Sequence, residues 1–161
     1  MLRMLVLATA FFFGNVSHLS AETLPGPIPA DVLRVIDGDT VEVRAHIWID
    51  QSVTIAVRLA NVDAPEIGRP ACRAERAIAD AAKATVEGLA DDRLFLRNIS
   101  LGKYAGRVVA EVDTLDGTNI GAHLVSIGQA VPDGVEDPWC LESATPSDGN
   151  ASSAPAQSSA P

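Results

Sequence analysis

Apolar and polar residues alternate along several short segments of this chain, which is the two-residue period of a half-buried β-strand. In Val53–Leu59 every second position is apolar, so Arg58 faces away from the apolar row. The turn signal Asp37-Gly38-Asp39 separates two β-rich segments, and Asp50-Gln51 makes a tight link to the next one. The predicted strands are Val32–Ile36, Thr40–Ile49, Val53–Leu59, Arg93–Ile99 and Val108–Thr114.

The period changes to that of a helix in two segments. From about Ala71 to Leu89 apolar residues recur at helical spacing, and Ile120–Ile127 predicts a shorter helix that Gly128 ends. The predicted apolar face of the longer helix consists of Ala74, Ile78, Ala81, Ala82, Val86 and Leu89.

Five short strands with one helix between the third and fourth indicate a small closed barrel. The expected fold class is α+β and mainly β, a five-stranded OB-fold barrel with two or three helices packed on it. A β-sandwich is the competing fold, but the chain offers too few strands for one.

Both ends of the chain differ from its middle. Residues 1–21 resemble a secretory signal, because Arg3 precedes an apolar run, Leu5–Phe13, that is too short to span a bilayer. An uncleaved membrane anchor is the alternative. After a Pro- and Gly-bearing lead-in at 22–29, the expected globular domain covers 30–140. Residues 141–161 are rich in Ser, Ala and Pro and are predicted to be a disordered tail.

The composition is acidic, with a formal charge of −9 over 161 residues. Removing residues 1–21 would take away one positive charge and make the exported chain more acidic still. We therefore do not expect a large basic surface that binds nucleic acid. An acidic protein can nevertheless cut a polyanion when a metal and a few cations are concentrated in one cleft.

The chain has two cysteines, Cys72 and Cys140. In an exported protein an even number of cysteines favours a disulfide, and free thiols are the alternative. Together with His46 and His123 the cysteines make no recognisable zinc spacing.

Three predicted turns carry charged side chains. Asp37-Gly38-Asp39-Thr40 forms the first turn, Arg58–Glu66 holds a guanidinium and two carboxylates, and Lys103–Arg107 brings a second arginine. Pro65 makes the second turn rigid, which suits groups that must be positioned before a substrate arrives. Each motif alone has a simpler interpretation as an ordinary turn, a surface ion pair or a solvated loop.

The three motifs in this order resemble the staphylococcal nuclease (thermonuclease-like) family. The likeness covers roughly residues 32–130, including the late segment 121–130. It implies an OB-fold barrel and calcium-dependent hydrolysis of phosphodiester bonds in DNA and RNA. On the matching positions it implies that Asp39, Asp63 and the Ala64 carbonyl bind Ca²⁺, and that Glu66 activates the attacking water. Arg58 and Arg107 would clamp the phosphate, Lys103 and Tyr104 would bind a neighbouring phosphate or base, and Cys72 would pair with Cys140.

Three departures from the family pattern bear on this expectation. Ala64 stands where the family usually has Thr, Ala105 is an extra residue before Gly106, and the segment after Ala130 offers no tyrosine to stack a base. Weaker substrate binding than in a basic relative is therefore expected.

The leading hypothesis is an exported nuclease, periplasmic or secreted, that acts as a monomer without stable membrane association. Its alternative is a catalytically silent OB-fold module that binds a nucleic acid or a protein. A third possibility is a structural domain that calcium stabilises. The retention of both arginines, both aspartates and Glu66 favours the enzyme over the silent module.

Overall fold

The computed structural model describes residues 22–136 and 138–140. The predicted signal at 1–21 and the predicted tail at 141–161 lie outside these residues. Within them, no helix has the length and apolar character needed to cross a membrane.

A closed five-stranded barrel forms the body of the protein. The elements of the described residues are β1 Ile28–Val35, β2 Thr40–Trp48, β3 Gln51–Leu59, β4 Val62–Asp63, α1 Arg73–Ala90, β5 Arg93–Leu101, β6 Arg107–Asp113, α2 Ile120–Ser126 and β7 Val131–Pro132. Neighbouring strands of the barrel follow the order β1-β2-β3-β6-β5, and all neighbouring pairs are antiparallel except β3 and β6, which are parallel. In this part of the chain, the two-stranded sheet of β4 and β7 and the two helices lie outside the barrel.

This architecture confirms the predicted α+β class and the OB-type barrel. The main difference lies in β1, which begins four residues before the predicted Val32. Ile28–Asp31 pair antiparallel with Arg93–Leu96 of β5, and this pairing closes the barrel. Leu24 also pairs with Ile99, so part of the predicted lead-in contributes to the sheet.

The barrel interior is filled by one row of side chains from each strand. In β6 buried residues alternate strictly with partly exposed ones, and in β3 Val57 and Leu59 are buried while Val53 is 40% exposed. Arg58 lies between the two buried residues of β3 and therefore points out of the barrel.

Helix α1 packs on the barrel with a face that overlaps the predicted one, since Ala82 and Val86 are buried and Ile78 and Leu89 are half-buried. Ala74 and Ala81 are exposed. Because a methyl group costs little when exposed, these alanines mark the face poorly. The buried face is the row Glu75, Ala79, Ala82, Val86 and Ala90, and it includes a carboxylate that the sequence pattern did not assign to the interior.

The predicted disulfide between Cys72 and Cys140 is present, with the two Cα atoms 5.8 Å apart. It joins the residue that caps α1 to the last described residue. Closing a loop of 68 positions stabilises the fold by about 4 kcal/mol in the chain-entropy account.

Candidate active site

The barrel register brings the three charged turns together. Thr40 at the start of β2 is paired with Arg58 of β3, and Arg58 is paired with Val109 of β6. Because β6 runs parallel to β3, Arg107 at its start lies beside Ala56, on the same side of the barrel wall. The turn before β2, the end of β3 and the loop before β6 therefore meet at one place.

A cavity of about 90 Å³ lies at this meeting point. Of the predicted site residues, both arginines, Glu66, Asp39 and Ala64 line the cavity. Asp63 does not line it, but its carboxylate accepts a hydrogen bond from Arg58, which does. The lining residues are Asp37, Asp39, Arg58, Ala64, Pro65, Glu66 and Arg107.

Gly38 allows the first turn to approach the second. A Cβ at this position would lie 2.7 Å from the Cβ of Ala82 and 3.0 Å from that of Ala64, closer than side chains pack. The missing side chain lets Asp39 reach the turn that carries Ala64, whose N–H donates a 3.3 Å hydrogen bond to Asp39 Oδ2.

Arg58 forms a double ion pair at the centre of the site. Its Nη1 donates to Asp39 Oδ2 and its Nη2 donates to Asp63 Oδ1. Burial alone would lower the pKa of Arg58, but the charges of Asp39 and Asp63 outweigh it and raise that pKa. Arg58 is therefore a permanent cation that holds two carboxylates in place.

Asp39 is the most deeply buried charged group of the site, with 4% of its surface exposed. Burial raises its pKa to about 6, and the nearby charge of Asp37 adds to the rise. Arg58 and the hydrogen bonds from Thr40 and Ala64 oppose this shift without cancelling it. The folded protein consequently binds a proton at Asp39 more tightly than the unfolded chain does.

We expect this titration to appear in stability measurements made in a chelating buffer. The raised pKa of Asp39 means that its favourable contribution is present at low pH and is lost as the pH rises through about 6. From about pH 4 to about pH 7.5, wild type should lose roughly 2 to 3 kcal/mol relative to Asp39→Asn. Chemical denaturation of both proteins across this range measures the difference. A difference that does not change with pH would show that Asp39 keeps its ordinary pKa.

Arg107 is oriented by Thr40, which the sequence motif did not single out. Its Nη2 donates a 2.7 Å hydrogen bond to Thr40 Oγ1, and that hydroxyl donates at 2.7 Å to Asp39 Oδ1. Among the described residues, Arg107 Nε is buried and has no hydrogen-bond partner. The guanidinium is thus aimed at the cavity but still has a donor to offer.

Glu66 lies on the exposed side of the cavity, after the buried Pro65. Within the part of the chain that the structure describes, its carboxylate makes no hydrogen bond or ion pair. An exposed, unpaired carboxylate facing the cavity can accept a proton from a bound water.

The donor set fits a divalent cation. Four carboxylates, those of Asp37, Asp39, Asp63 and Glu66, face two guanidinium groups, which leaves a formal excess of two negative charges. Oxygen ligands of this kind suit Ca²⁺ or Mg²⁺. Since Arg58 now occupies oxygens of Asp39 and Asp63, binding a cation there requires Arg58 to turn away from them.

A second cluster of potential ligands, Cys72, Glu75 and Cys140, has its ligand atoms within 4.8 Å of one another. Its two sulfurs share a disulfide bond, so no thiolate is present to bind a metal.

Lys103 and Tyr104 lie on the loop between β5 and β6 and do not line the cavity. Tyr104 is 64% exposed, and Lys103 Nζ lies 5.8 Å from the centre of its ring. Their role in binding substrate stays a prediction. The extra residue Ala105 does not prevent Arg107 from reaching the site.

Two residues at the site were missed as site residues in the sequence. Asp37 lines the cavity and accepts a 3.1 Å hydrogen bond from the N–H of Asp39, while Thr40 links Asp39 to Arg107. Both belong to the Asp-Gly-Asp-Thr turn, so the signal was present in the motif. The contacts of Asp37 and Thr40 with Asp39 lie within the turn, whereas the contact of Thr40 with Arg107 depends on a strand far along the chain and could not be derived from the motif.

Comparisons with known proteins found a matching family model and similar proteins. A protein-family model described as "Staphylococcal nuclease homologue" matches residues 56–144, more than half of the chain. An Escherichia coli protein named "Uncharacterized endonuclease" is 31% identical over 103 residues. A protein of the same name from Escherichia coli O157:H7 is 32% identical over 99 residues. Each alignment covers 62% of this chain, which spans 57% of the length of each relative.

Proposed function

This chain belongs to the staphylococcal nuclease homologue family, and from that premise we propose that it is an exported, calcium-dependent nuclease hydrolysing phosphodiester bonds of DNA and RNA. The observation that carries the proposal is the meeting of two guanidinium groups and several carboxylates at one cavity of about 90 Å³. A site with this charge would suit a phosphate group together with a divalent cation.

In the proposed site, Asp39 and Asp63 would hold the cation with their carboxylates, and Ala64 would contribute its main-chain carbonyl. When bound, Ca²⁺ would neutralise these carboxylates and polarise a phosphoryl oxygen. The position of Ala64 at the cavity wall and its N–H bond to Asp39 support this assignment.

Glu66 is the proposed general base. It takes a proton from a water molecule, whose oxygen forms the new bond to phosphorus as the bond to the leaving oxygen breaks. Its exposed carboxylate at the cavity edge supports this role, because an ion pair would hold it away from the water.

Arg58 and Arg107 are the proposed phosphate clamp. Negative charge builds on the phosphoryl oxygens during attack, and a planar guanidinium can donate two hydrogen bonds to them. The place of Arg107 in the cavity lining and its partly exposed side chain support its part in the clamp. Arg58 would contribute to the clamp with the guanidinium nitrogens that now pair with Asp39 and Asp63, if a cation were held by those carboxylates.

We also propose that the enzyme works after export, in the periplasm or outside the cell. The signal-like residues 1–21 and the Cys72–Cys140 disulfide support this location, because disulfides persist in oxidising compartments. Because the chain has a formal charge of −9, its binding of a polyanion depends on the site itself and on cations such as Lys103.

The test is release of acid-soluble nucleotides from denatured DNA and from RNA, with Ca²⁺, Mg²⁺ or a chelator. We expect cleavage with Ca²⁺ and none with the chelator. Asp39→Ala should abolish the calcium-dependent activity, whereas the matched control Asp92→Ala, at an exposed aspartate, should keep it. Equal activity in the chelator would overturn the metal assignment. Binding of nucleic acid without cleavage would favour the silent module.

A further inference from the structure

Glu75 is a buried carboxylate on α1, with 7% of its surface exposed, and it lies next to the turn that carries the proposed base. Its Oε1 accepts a 3.2 Å hydrogen bond from the main-chain N–H of Glu66. Its Oε2 accepts a hydrogen bond from the N–H of Ala71. One side chain therefore holds both ends of the 66–71 turn.

The surroundings of Glu75 restrict its own movement. Its main-chain N–H donates at 3.4 Å to Cys72 Sγ, and Cys140 Sγ lies 3.8 Å from its Oε2. One helical residue later, Arg76 donates a 3.2 Å hydrogen bond to the carbonyl of Ile67, in the middle of the same turn. The disulfide and the first turn of α1 thus form a rigid support for the turn.

Glu75 is the one charged residue on the buried face of α1. The other buried residues of the α1 face are Ala79, Ala82, Val86 and Ala90, and an apolar side chain there would avoid the cost of burying a carboxylate. Two main-chain N–H donors offset that cost. A carboxylate in the first turn of α1 also suits the positive end of the helix, but both of its main-chain hydrogen bonds go to the 66–71 turn.

The side chain of Glu66 makes no hydrogen bond or ion pair with the described residues, so only its main chain can fix the direction in which it points. We infer that Glu75 is a positioning residue that aims the Glu66 carboxylate at the attacking water. This inference rests on the proposed nuclease function. It assigns no contact between Glu75 and the substrate.

The test is a double-mutant cycle on protein purified after export. Glu75→Ala should lower kcat by about 10- to 100-fold with little change in KM, because a small misplacement of the base costs about this much. Glu75→Gln retains one acceptor and should fall between Glu75→Ala and wild type. Glu87→Ala, at an exposed glutamate of the same helix, should leave kcat unchanged.

The cycle is completed in the Glu66→Gln background. If Glu75 acts through Glu66, adding Glu75→Ala there should lower kcat no further. An equal loss of kcat in both backgrounds would overturn the inference, because it would show a general structural effect. An unchanged kcat in the single variant would also overturn it.

Amide hydrogen exchange gives a measurement that does not depend on activity. In Glu75→Ala, exchange at the N–H groups of Glu66 and Ala71 should be at least about tenfold faster than in wild type, while the barrel amides keep their protection. Unchanged exchange would contradict the inference alone. If wild type cleaves nothing, the nuclease proposal and the catalytic meaning of Glu75 both fail, whereas the exchange result still decides whether Glu75 holds the turn.

Discussion

Replacing Glu66 with glutamine is expected to lower kcat by a factor of about 10² to 10⁴, the usual contribution of a positioned general base. The amide has the same shape as the carboxylate but cannot accept the proton of the attacking water. KM should change by less than about threefold, because the lost interaction belongs to the transition state. Steady-state cleavage of denatured DNA with saturating Ca²⁺ measures both quantities.

The fold should tolerate this substitution. Glu66 is exposed, and its hydrogen bond to Glu75 uses the main-chain N–H, which glutamine retains. Glu87→Gln provides the matched control, since it removes an exposed carboxylate whose ion pair with Lys83 spans 3.9 Å. A Glu66→Gln protein that keeps its kcat but binds substrate more weakly would rule out the general-base role.

The sequence predicted the barrel well because its signals are local. The alternating pattern of β3 and the turn at Asp37–Thr40 each lie within a few residues, and both agree with the structure. The start of β1 was predicted too late because Ile28 and Pro29 become strand residues by pairing with β5, about 65 residues away. Such pairing leaves little trace in the local pattern.

The site was predicted only as a set of residues. Their order and spacing indicated which side chains should meet, and Asp39, Arg58, Glu66 and Arg107 do line one cavity. The ion pair of Arg58 with Asp63 is the surface ion pair that the second turn alone suggested. The pair of Arg58 with Asp39 and the hydrogen bond of Arg107 to Thr40 could not be predicted, because they depend on the register of β2, β3 and β6. Glu75 was missed for a different reason, since a glutamate inside a helical pattern is usually placed on its exposed face.

The two arginines of the site differ in how many of their donors are already used. Both outer nitrogens of Arg58 are paired, with Asp39 and Asp63, so this side chain neutralises carboxylates that a cation would otherwise neutralise. Arg107 has one hydrogen bond to Thr40 and a buried Nε without a partner among the described residues. Substituting Arg58 should therefore disturb folding as well as catalysis, because it leaves the buried Asp39 with only the 3.9 Å contact to Arg107 as an ion pair. Arg107 is the cleaner probe of phosphate binding.

Arg107→Lys should lower kcat by about 10² to 10³, the usual loss when a donor to developing negative charge is removed. Lysine keeps the charge but has one nitrogen, which cannot contact Thr40 and two phosphoryl oxygens with the geometry of a guanidinium. The free energy of unfolding should change little, because Arg107 makes no ion pair closer than the 3.9 Å contact with Asp39 among the described residues.

The matched control is Arg97→Lys, at an arginine of β5 whose side chain is 48% exposed and paired with Asp113. It makes the same chemical change away from the cavity and should keep kcat within about twofold of wild type. Kinetics and urea unfolding of both variants separate the effect on catalysis from the effect on the fold. If Arg107→Lys retained wild-type kcat, its charge alone would be sufficient at the site, and the paired hydrogen bonds proposed for the clamp would be excluded.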